Sequence, residues 1–308
     1  TDKAKFNSDI LKITKLKNTH QIEGKIENSK SMVPEILTKV LNLKNLDFKK
    51  TKFSSKNNFI FKIDKSFQVK NLKLASKINF DQMIYKNESN YLDHFPDLKK
   101  NFLLNNHNLD LKYEKNILSV NGKGKVKVGN SLDQIEYFIT KTNDDFEFET
   151  DLYIKETVIQ NQKLFKNNFP QTKDLIDLKN HKLNIKFKDK ILYLSGAGSI
   201  RLEKDFDKIK YLIIKNEDKY EFETDVNINK ITLKNQKIIK TNFPLTNKLL
   251  DLMDHKLNVK YKEQKLYLNG EGKIKFEKYS NKIKYSIHKH KDDLNLKSEI
   301  NIQNINLK

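Results

Sequence analysis

Apolar and polar residues alternate along most of the chain, and this alternation predicts β-strands. From Leu183 to Phe187 the odd positions are apolar and the even positions are asparagine or lysine. Leu192, Leu194 and Ile200 likewise share one face of a longer strand. Short turns such as KDK and KNED separate these segments. The pattern therefore predicts an antiparallel meander with one apolar face and one charged face.

The alternating segments recur with a spacing of 74 residues. NHNLDLKYEKNILSVNGKGKVKV from Asn106 returns as NHKLNIKFKDKILYLSGAGSIRL from Asn180 and as DHKLNVKYKEQKLYLNGEGKIKF from Asp254. We predict an all-β dominated fold of elongated antiparallel meander repeats, each with four strands and one short helix, that form a curled sheet or groove. The predicted regions are a degenerate N-terminal β-repeat region at 1–94 and repeats at 95–168, 169–242 and 243–308, the last truncated.

One short helix per repeat is predicted after a Phe-Pro pair, because proline suits the first turn of a helix and the residue before it stays extended. The pairs begin at residues 95, 169 and 243, and Pro34 opens a similar segment with a predicted helix near 34–43. The predicted apolar stripes are Leu175, Ile176 and Leu178 in one helix, and Leu249, Leu250, Leu252 and Met253 in another.

A Gly-x-Gly pair occurs in the second strand of each repeat. A phosphate-binding glycine loop needs a turn from a strand into a helix, whereas here the alternation continues through the pair. Glycine inside a strand indicates a bend, a bulge or close approach by another group. We interpret the glycines as points where the sheet bends, namely Gly122, Gly124, Gly196, Gly198, Gly270 and Gly272.

Three repeated histidines, His107, His181 and His255, follow the predicted helices. Four strands per repeat separate equivalent residues by roughly 19 Å, so no shared metal site is expected. We predict that each imidazole caps the end of its helix. The carboxylates of FEFETD and YEFETD should form a charged solvent face that lysines neutralise. No set of serine, histidine and carboxylate stands out, so neither an enzyme nor a cofactor is predicted.

The formal net charge is +20, which raises the possibility of nucleic-acid binding. Arg201 is the one arginine and the other basic residues are lysines, whereas phosphate recognition favours the arginine fork. No specific nucleic-acid partner is therefore expected. The absence of cysteine excludes disulfides and thiolate chemistry. No run of about 18 apolar residues occurs, and the chain, which starts at Thr1, is interpreted as part of a longer one.

The continuous apolar face needs a cover, which can be a second sheet, helices, a partner or a ligand. If the sheet curls, this face becomes a trough suited to acyl chains. The alternatives are a structural scaffold with a closed core and a lysine-rich surface that binds polyanions. The predicted lining residues of the trough are Leu109, Leu111, Leu118, Val120, Leu183, Ile185, Phe187, Leu192, Leu194, Ile200, Tyr211, Phe222, Val226, Leu257, Val259, Leu266, Leu268 and Ile274.

The loose pattern FPxxxxLL…H…GxG, repeated in tandem between Val33 and Lys308, resembles the AsmA-like proteins of Gram-negative bacteria. It is closest to the YhdP-type members, whose repeating β-groove is shared with TamB and the eukaryotic chorein bridge proteins. The resemblance implies a periplasm-spanning protein, anchored to the inner membrane by parts of the parent chain not present here. Such a protein carries phospholipid or another acyl lipid toward the outer membrane. The resemblance supplies no catalytic residues.

Overall fold

The computed structural model describes residues 6–32, 46–47, 51–86, 101–129, 131–234, 249–276, 279–291 and 293–301. Within these ranges the protein is all-β, because its seventeen strands belong to one antiparallel sheet and one short helix accompanies them. The predicted all-β class is therefore confirmed.

The strands are long, and most of them hold nine residues or more. They are β1 (Phe6–Lys15), β2 (Thr19–Met32), β3 (Leu46–Asp47), β4 (Lys52–Asp64), β5 (Val69–Lys86), β6 (Asn101–Glu114), β7 (Ile117–Lys127), β8 (Asp133–Lys141), β9 (Phe146–Gln160), β10 (Leu175–Lys188), β11 (Ile191–Arg201), β12 (Asp207–Asn216), β13 (Lys219–Lys234), β14 (Leu249–Lys262), β15 (Lys265–Phe276), β16 (Tyr279–His290) and β17 (Asp293–Asn301). The helix α1 spans Lys163–Asn168.

The chain divides into two compact units. Unit 1 comprises residues 1–92, 98–153 and 185–189, and unit 2 comprises residues 93–97, 154–184 and 190–308. In unit 1, β1 pairs with β2, β2 with β4, and each strand from β4 to β8 with the next, while β3 pairs with β5. In unit 2, each strand from β11 to β16 pairs with the next. Both units contain the predicted antiparallel meander.

Tight two-residue turns connect the first and second strands of the long repeats. Asp189 and Lys190, within the predicted KDK turn, have φ angles of 51° and 64°. Two successive positive φ values characterise a type I′ turn, whose twist matches that of the flanking antiparallel strands. The equivalent turns also have positive φ at both positions and also lack glycine, and they consist of Lys115 and Asn116, and of Glu263 and Gln264.

A one-residue bulge changes the phase of the apolar pattern within the first strand of the repeats. In β14, Leu252 lies opposite Ile274 and Leu257 lies opposite Gly270, with a slip in register between them. Asp254, at the slip, has a φ of 48°. Such a bulge leaves one residue unpaired, and asparagine and aspartate tolerate this left-handed conformation. Apolar residues on both sides of the bulge therefore occupy the same face. The equivalent residues Asn106 and Asn180 have φ values of 50° and 49°.

The prediction of helices after the Phe-Pro pairs is wrong wherever these residues are described. Leu175, Ile176 and Leu178 lie in β10, and the stripe from Leu249 to Met253 lies in β14. The physical reason is an apolar residue on the opposite face of each strand, because the exposed Leu175 and Leu249 directly precede the buried Ile176 and Leu250 and turn the alternation into a run that resembles a helical stripe. The predicted helix near 34–43 and the Phe-Pro pairs at 95 and 243 lie outside the described residues.

The observed helix α1 precedes the Phe169-Pro170 pair instead of following it. A residue before proline disfavours the α conformation, so a helix ends at this point. The rings of Phe165 and Phe169 are 4.6 Å apart and pack against the buried core of unit 2. Ile231, Leu250 and Ile274 are each 1% exposed. The other buried members of this core are Ile176, Ile200, Leu202, Ile228 and Leu252.

Because β14 is a strand, alanine substitution of two neighbouring leucines should change the free energy of unfolding by very different amounts. Leu250→Ala should lower the free energy of unfolding by about 2–5 kcal/mol, because it leaves a cavity in the core. Leu249→Ala should change it by less than about 0.5 kcal/mol, since Leu249 is 39% exposed. Urea unfolding of both variants measures the difference. Equal losses would favour the helical stripe over the strand.

Candidate functional site

Three buried histidines mark the same point on the apolar face. His107, His181 and His255 lie in β6, β10 and β14, directly after the positive-φ residue of the bulge. Their exposed fractions are 1%, 2% and 1%. The prediction that they cap helices is wrong, because these segments are strands. The bulge turns each imidazole onto the face that carries the apolar side chains.

A tyrosine 30 residues further along the chain accompanies each histidine. His181 Nε2 lies 2.9 Å from the hydroxyl of Tyr211. His255 Nε2 lies 2.8 Å from the hydroxyl of Tyr285. In the first repeat it is His107 Nδ1 that lies 3.2 Å from the hydroxyl of Tyr137, while Nε2 lies 3.1 Å from the Lys125 carbonyl oxygen. The Tyr211 ring stacks on its histidine at a centroid distance of 5.5 Å.

The glycine pairs provide the space that these rings occupy. A Cβ atom on Gly270 would overlap the ring of Tyr285, and one on Gly272 would overlap the ring of His255 and approach its Cα to 2.9 Å. The same holds for Gly196 and Gly198 with Tyr211 and His181, and for Gly122 and Gly124 with Tyr137 and His107. All glycines have ordinary negative φ values. Close approach by another group therefore explains the pairs.

The prediction that the sheet bends at the glycines needs one correction: the irregular strand is the neighbouring one, and not the strand that contains the glycines. Gly270 and Gly272 lie in the middle of β15, as predicted, and not in a turn into a helix. The irregularity lies opposite them, because β14 slips in register between Met253 and Lys256. β6 slips in the same way opposite β7. The residue that deforms the sheet is thus the one before the histidine.

Burial controls the electrostatics of these pairs. It lowers the pKa of His107, His181 and His255, with opposing smaller contributions from the Lys125 carbonyl at His107 and from Glu271 at His255. Burial also raises the pKa of the tyrosines Tyr137, Tyr211 and Tyr285 to about 12. Both partners are therefore neutral near pH 7. A neutral, buried hydrogen-bonded pair stabilises the packing of the strands on which it lies.

The N-terminal region contains a simpler form of the same packing. The ring of Phe59 in β4 lies against Gly24 in β2, so that a Cβ atom on Gly24 would meet its Cζ at 2.7 Å. No hydroxyl is present on this ring. The sequence prediction included Tyr211 merely as a lining residue and omitted Tyr137 and Tyr285. Their 74-residue spacing, in register with the histidines, is the signal that could have identified them.

The predicted lining residues occupy the apolar face in both units. Directly opposite residues share a face of an antiparallel sheet, so the register joins Leu194, Ile213, Phe222, Tyr261 and Leu266 in one row of unit 2. In unit 1, Leu111 pairs with Val120 and Tyr113 with Leu118, and Leu109 pairs with Gly122. Ile200 and Ile274 belong to the buried core. The remaining predicted residues are half-buried, and they are Leu183, Ile185, Phe187, Leu192, Tyr211, Val226, Leu257, Val259 and Leu268.

The opposite face carries charges that pair between neighbouring strands. In unit 2, Lys260 and Lys262 lie 3.5 and 3.6 Å from Glu223 and Glu221. Asp225 accepts a hydrogen bond of 2.8 Å from Asn258. The carboxylates of YEFETD therefore lie on a charged face that lysines neutralise, as predicted.

A cavity of about 1500 Å³ lies on this charged face of unit 2. Two rows of directly opposite residues line it, and each row takes one residue from every strand between β11 and β17. One row runs from Ala197 to Lys297 and the other from Ser199 to Glu299. Leu257 is the predicted trough residue that contributes to this lining. The cavity therefore belongs to the face opposite the one for which a trough was predicted.

One group of carboxylates in unit 1 has the spacing of a metal site. Oxygen atoms of Asp145, Glu147 and Asp189 lie within 4.8 Å of one another. Lys188 Nζ lies 2.9 Å from Glu147 and already neutralises part of this charge. The Asp145 carboxylate also accepts a hydrogen bond of 2.8 Å from the Phe146 amide. The group is explained as an ion-paired cluster beside a turn.

No helix in the described part of the chain is both long and apolar enough to cross a membrane. No protein-family model, curated protein or solved structure matches the sequence or the fold.

The three buried histidines predict a loss of stability in mild acid. Below about pH 6.5 the unfolded chain binds protons at these histidines while the native state resists them, so the free energy of unfolding falls as the pH falls. The slope should reach up to about 1.4 kcal/mol per pH unit for each histidine. Urea unfolding between pH 7.5 and pH 5 measures this slope. His255→Gln should reduce it, and an unchanged slope in this variant would contradict the account.

A double-mutant cycle tests the contact between ring and glycine. Gly270→Ala should destabilise the protein by about 1–3 kcal/mol, because the added methyl group overpacks the site. In a Tyr285→Ala background the same change should cost much less, with a coupling free energy of about 0.5–3 kcal/mol. The neighbouring Asn269→Ala, on the other face, serves as control. Additive effects of the two changes, measured by urea unfolding, would show that ring and glycine do not interact.

Proposed function

We propose that the apolar face binds the acyl chains of phospholipids, or of other acyl lipids, and carries them along successive repeats of about 74 residues. Acyl chains would lie on the rows of leucine, isoleucine and aromatic side chains. The polar head groups would stay at the rim, in water. The face would act as the floor of a groove without any catalytic residue.

This proposal rests on large apolar side chains that are exposed on the apolar face, on the side of the histidine–tyrosine pairs away from the buried core. Ile213 and Phe222 are register partners on the apolar face of unit 2, and they are 38% and 36% exposed. Leu294 and Leu296 in β17 are 64% and 54% exposed. Leu296 continues the row that contains Leu268 and Ile287. Contiguous exposed apolar rows of this kind indicate a binding surface.

The energetics favour movement over tight capture. Burial of one methylene group contributes about 0.8 kcal/mol, so that an acyl chain is held by many small increments. Each repeat presents a similar arrangement of apolar residues, and neighbouring positions are therefore close in free energy. A lipid can thus pass from one repeat to the next without a deep minimum.

The resemblance to AsmA-like proteins extends this proposal to the parent chain. By that resemblance, the chain is a segment of a YhdP-type, TamB-related bridge protein between the inner and outer membranes of a Gram-negative cell. It would act in the periplasm, and other parts of the parent chain would anchor it to the inner membrane. The acyl-binding step can be tested in the present chain by itself.

A structural scaffold is the second candidate, and one observation favours it. At one end of the strands in unit 2, the apolar face is closed by Phe165 of α1 and by Phe169 over the buried core. If the rest of the face is covered in the same manner, it stabilises the fold and binds no lipid. Lipid binding by the purified chain distinguishes the two candidates.

Two adjacent residues of β12 provide a matched test of lipid binding. Ile213, 38% exposed, lies on the apolar face, whereas Leu212, 39% exposed, lies on the charged face opposite Ser195 and Glu223. Ile213→Glu should weaken binding of a fluorescent phospholipid at least about tenfold, because it places a charge among the acyl chains. Leu212→Glu should leave the binding unchanged.

Native mass spectrometry of the purified chain should detect co-purified phospholipid in the wild type and in Leu212→Glu, but much less in Ile213→Glu. Thermal unfolding checks that both variants are folded. Lipid-free wild-type protein, or equal losses in the two variants, would exclude the apolar face as the binding site and favour the scaffold.

A further inference from the structure

The cavity on the charged face of unit 2 has a floor of small polar side chains. Asn258, Asn269 and Ser286 follow one another across β14, β15 and β16, and Ala197 and Ser199 line the cavity in β11, beyond β12 and β13. Short side chains in the middle of a face otherwise occupied by lysine and glutamate leave the volume of about 1500 Å³. Amide and hydroxyl groups there can exchange hydrogen bonds with a ligand rich in hydroxyl groups.

The charges around this floor are predominantly positive. Among the described residues, no carboxylate lies within ion-pairing distance of the lysines that line the cavity at positions 208, 210, 284 and 297. Of the lining carboxylates, Glu271 lies 3.8 Å from Lys256 and Asp225 accepts a hydrogen bond from Asn258. Glu299 is the third lining carboxylate. The lining thus holds five lysines and three carboxylates, with Asp225 and Glu299 directly opposite Lys210 and Lys284 in the register, and its net positive charge favours an anionic ligand.

The shape of the cavity indicates an elongated ligand. Its lining comes from seven neighbouring strands, β11 to β17. At a strand spacing of about 4.8 Å, seven strands extend over roughly 29 Å. A single small anion would occupy a small part of this length, whereas a linear polymer can contact all four lysines.

The aromatic content of the lining helps to decide between two classes of linear anion, single-stranded nucleic acid and charged polysaccharide. Proteins that bind single-stranded nucleic acid supply aromatic rings on which the bases stack. Tyr285 is the one aromatic residue in the lining, and its ring lies on the other face, against Gly270. The cavity therefore offers hydrogen-bonding groups and cations without a stacking platform, as suits a charged sugar chain.

We propose that this cavity binds a linear acidic polysaccharide, whose carboxylates pair with Lys208, Lys210, Lys284 and Lys297 and whose hydroxyl groups contact the floor of asparagine and serine. The site is independent of the apolar face and does not rest on the lipid proposal. Its ligand lies on the opposite side of the same strands.

Titration calorimetry with an oligogalacturonate long enough to span the cavity tests the proposal. Replacement of the four cavity lysines by glutamine should weaken binding about ten- to a hundredfold, because four exposed charge contacts are lost. The matched control replaces four exposed lysines outside the cavity by glutamine and should bind like the wild type; these are Lys204, Lys219, Lys275 and Lys289. Both variants have the same net charge, so the comparison separates a site from overall attraction.

Two further ligands complete the experiment. A neutral oligosaccharide of the same length should not bind, and a single-stranded oligonucleotide of equal charge should bind more weakly than the oligogalacturonate. The proposal is overturned if both lysine variants lose binding equally, if the wild type does not bind the oligogalacturonate, or if the oligonucleotide binds more tightly. Circular dichroism verifies that both variants retain the strand content of the wild type.

Discussion

Contact between aromatic rings and the backbone of glycine is the constraint on which each long repeat depends. In the third repeat the rings of Tyr285 and His255 lie against Gly270 and Gly272, where a Cβ atom would overlap them. The histidine reaches this position because Asp254 adopts a positive φ and adds one residue to β14. Glycine pair, bulge, histidine and tyrosine therefore require one another, and substitution of one member leaves the others without their packing.

This packing divides the apolar face of unit 2 into two zones with different properties. On one side lies the buried core, whose members Ile231, Leu250 and Ile274 are 1% exposed and are flanked by α1. On the other side Ile213 and Phe222 keep more than a third of their surface exposed. Stability comes mainly from the first zone, since burial of apolar area drives folding. The second zone contributes less to stability and remains accessible to a ligand.

The strands and the meander could be predicted from the sequence because alternation with period two is a local signal. The bulge could not, since Asn180 looks like any polar residue of a strand until its φ is known. The run from Leu175 to Leu178 has a helix-like spacing because the exposed Leu175 stands beside the buried Ile176, and that part of the prediction is wrong. The role of His181 depends on Tyr211, 30 residues away, so that no local pattern reveals it.

The position of the cavity could not be predicted from the sequence either. Alternation assigns Asn258 and Lys210 to the charged face but does not show that this face encloses a volume, because curvature depends on the geometry of many strands together. The predicted lining residues remain a prediction, although they lie on the apolar face of the strands. Whether they line a groove depends on what covers that face, and no single-residue pattern determines this.

Near-identical repeats allow a strand to pair with the wrong repeat, and charge pairs between strands of neighbouring repeats act against one such mispairing. A strand could pair with the wrong copy at little cost, because a full repeat shift preserves the apolar pattern. In unit 1, β5 contributes lysine and β6 contributes the carboxylate, as in Lys73 and Glu114. In unit 2, β13 contributes Glu221 and β14 contributes Lys262, so the polarity is reversed. Placing β14 beside β5 would bring lysine opposite lysine, and this repulsion disfavours the wrong neighbour. The surface charges therefore disfavour the pairing of β14 with β5, which the apolar pattern alone does not exclude.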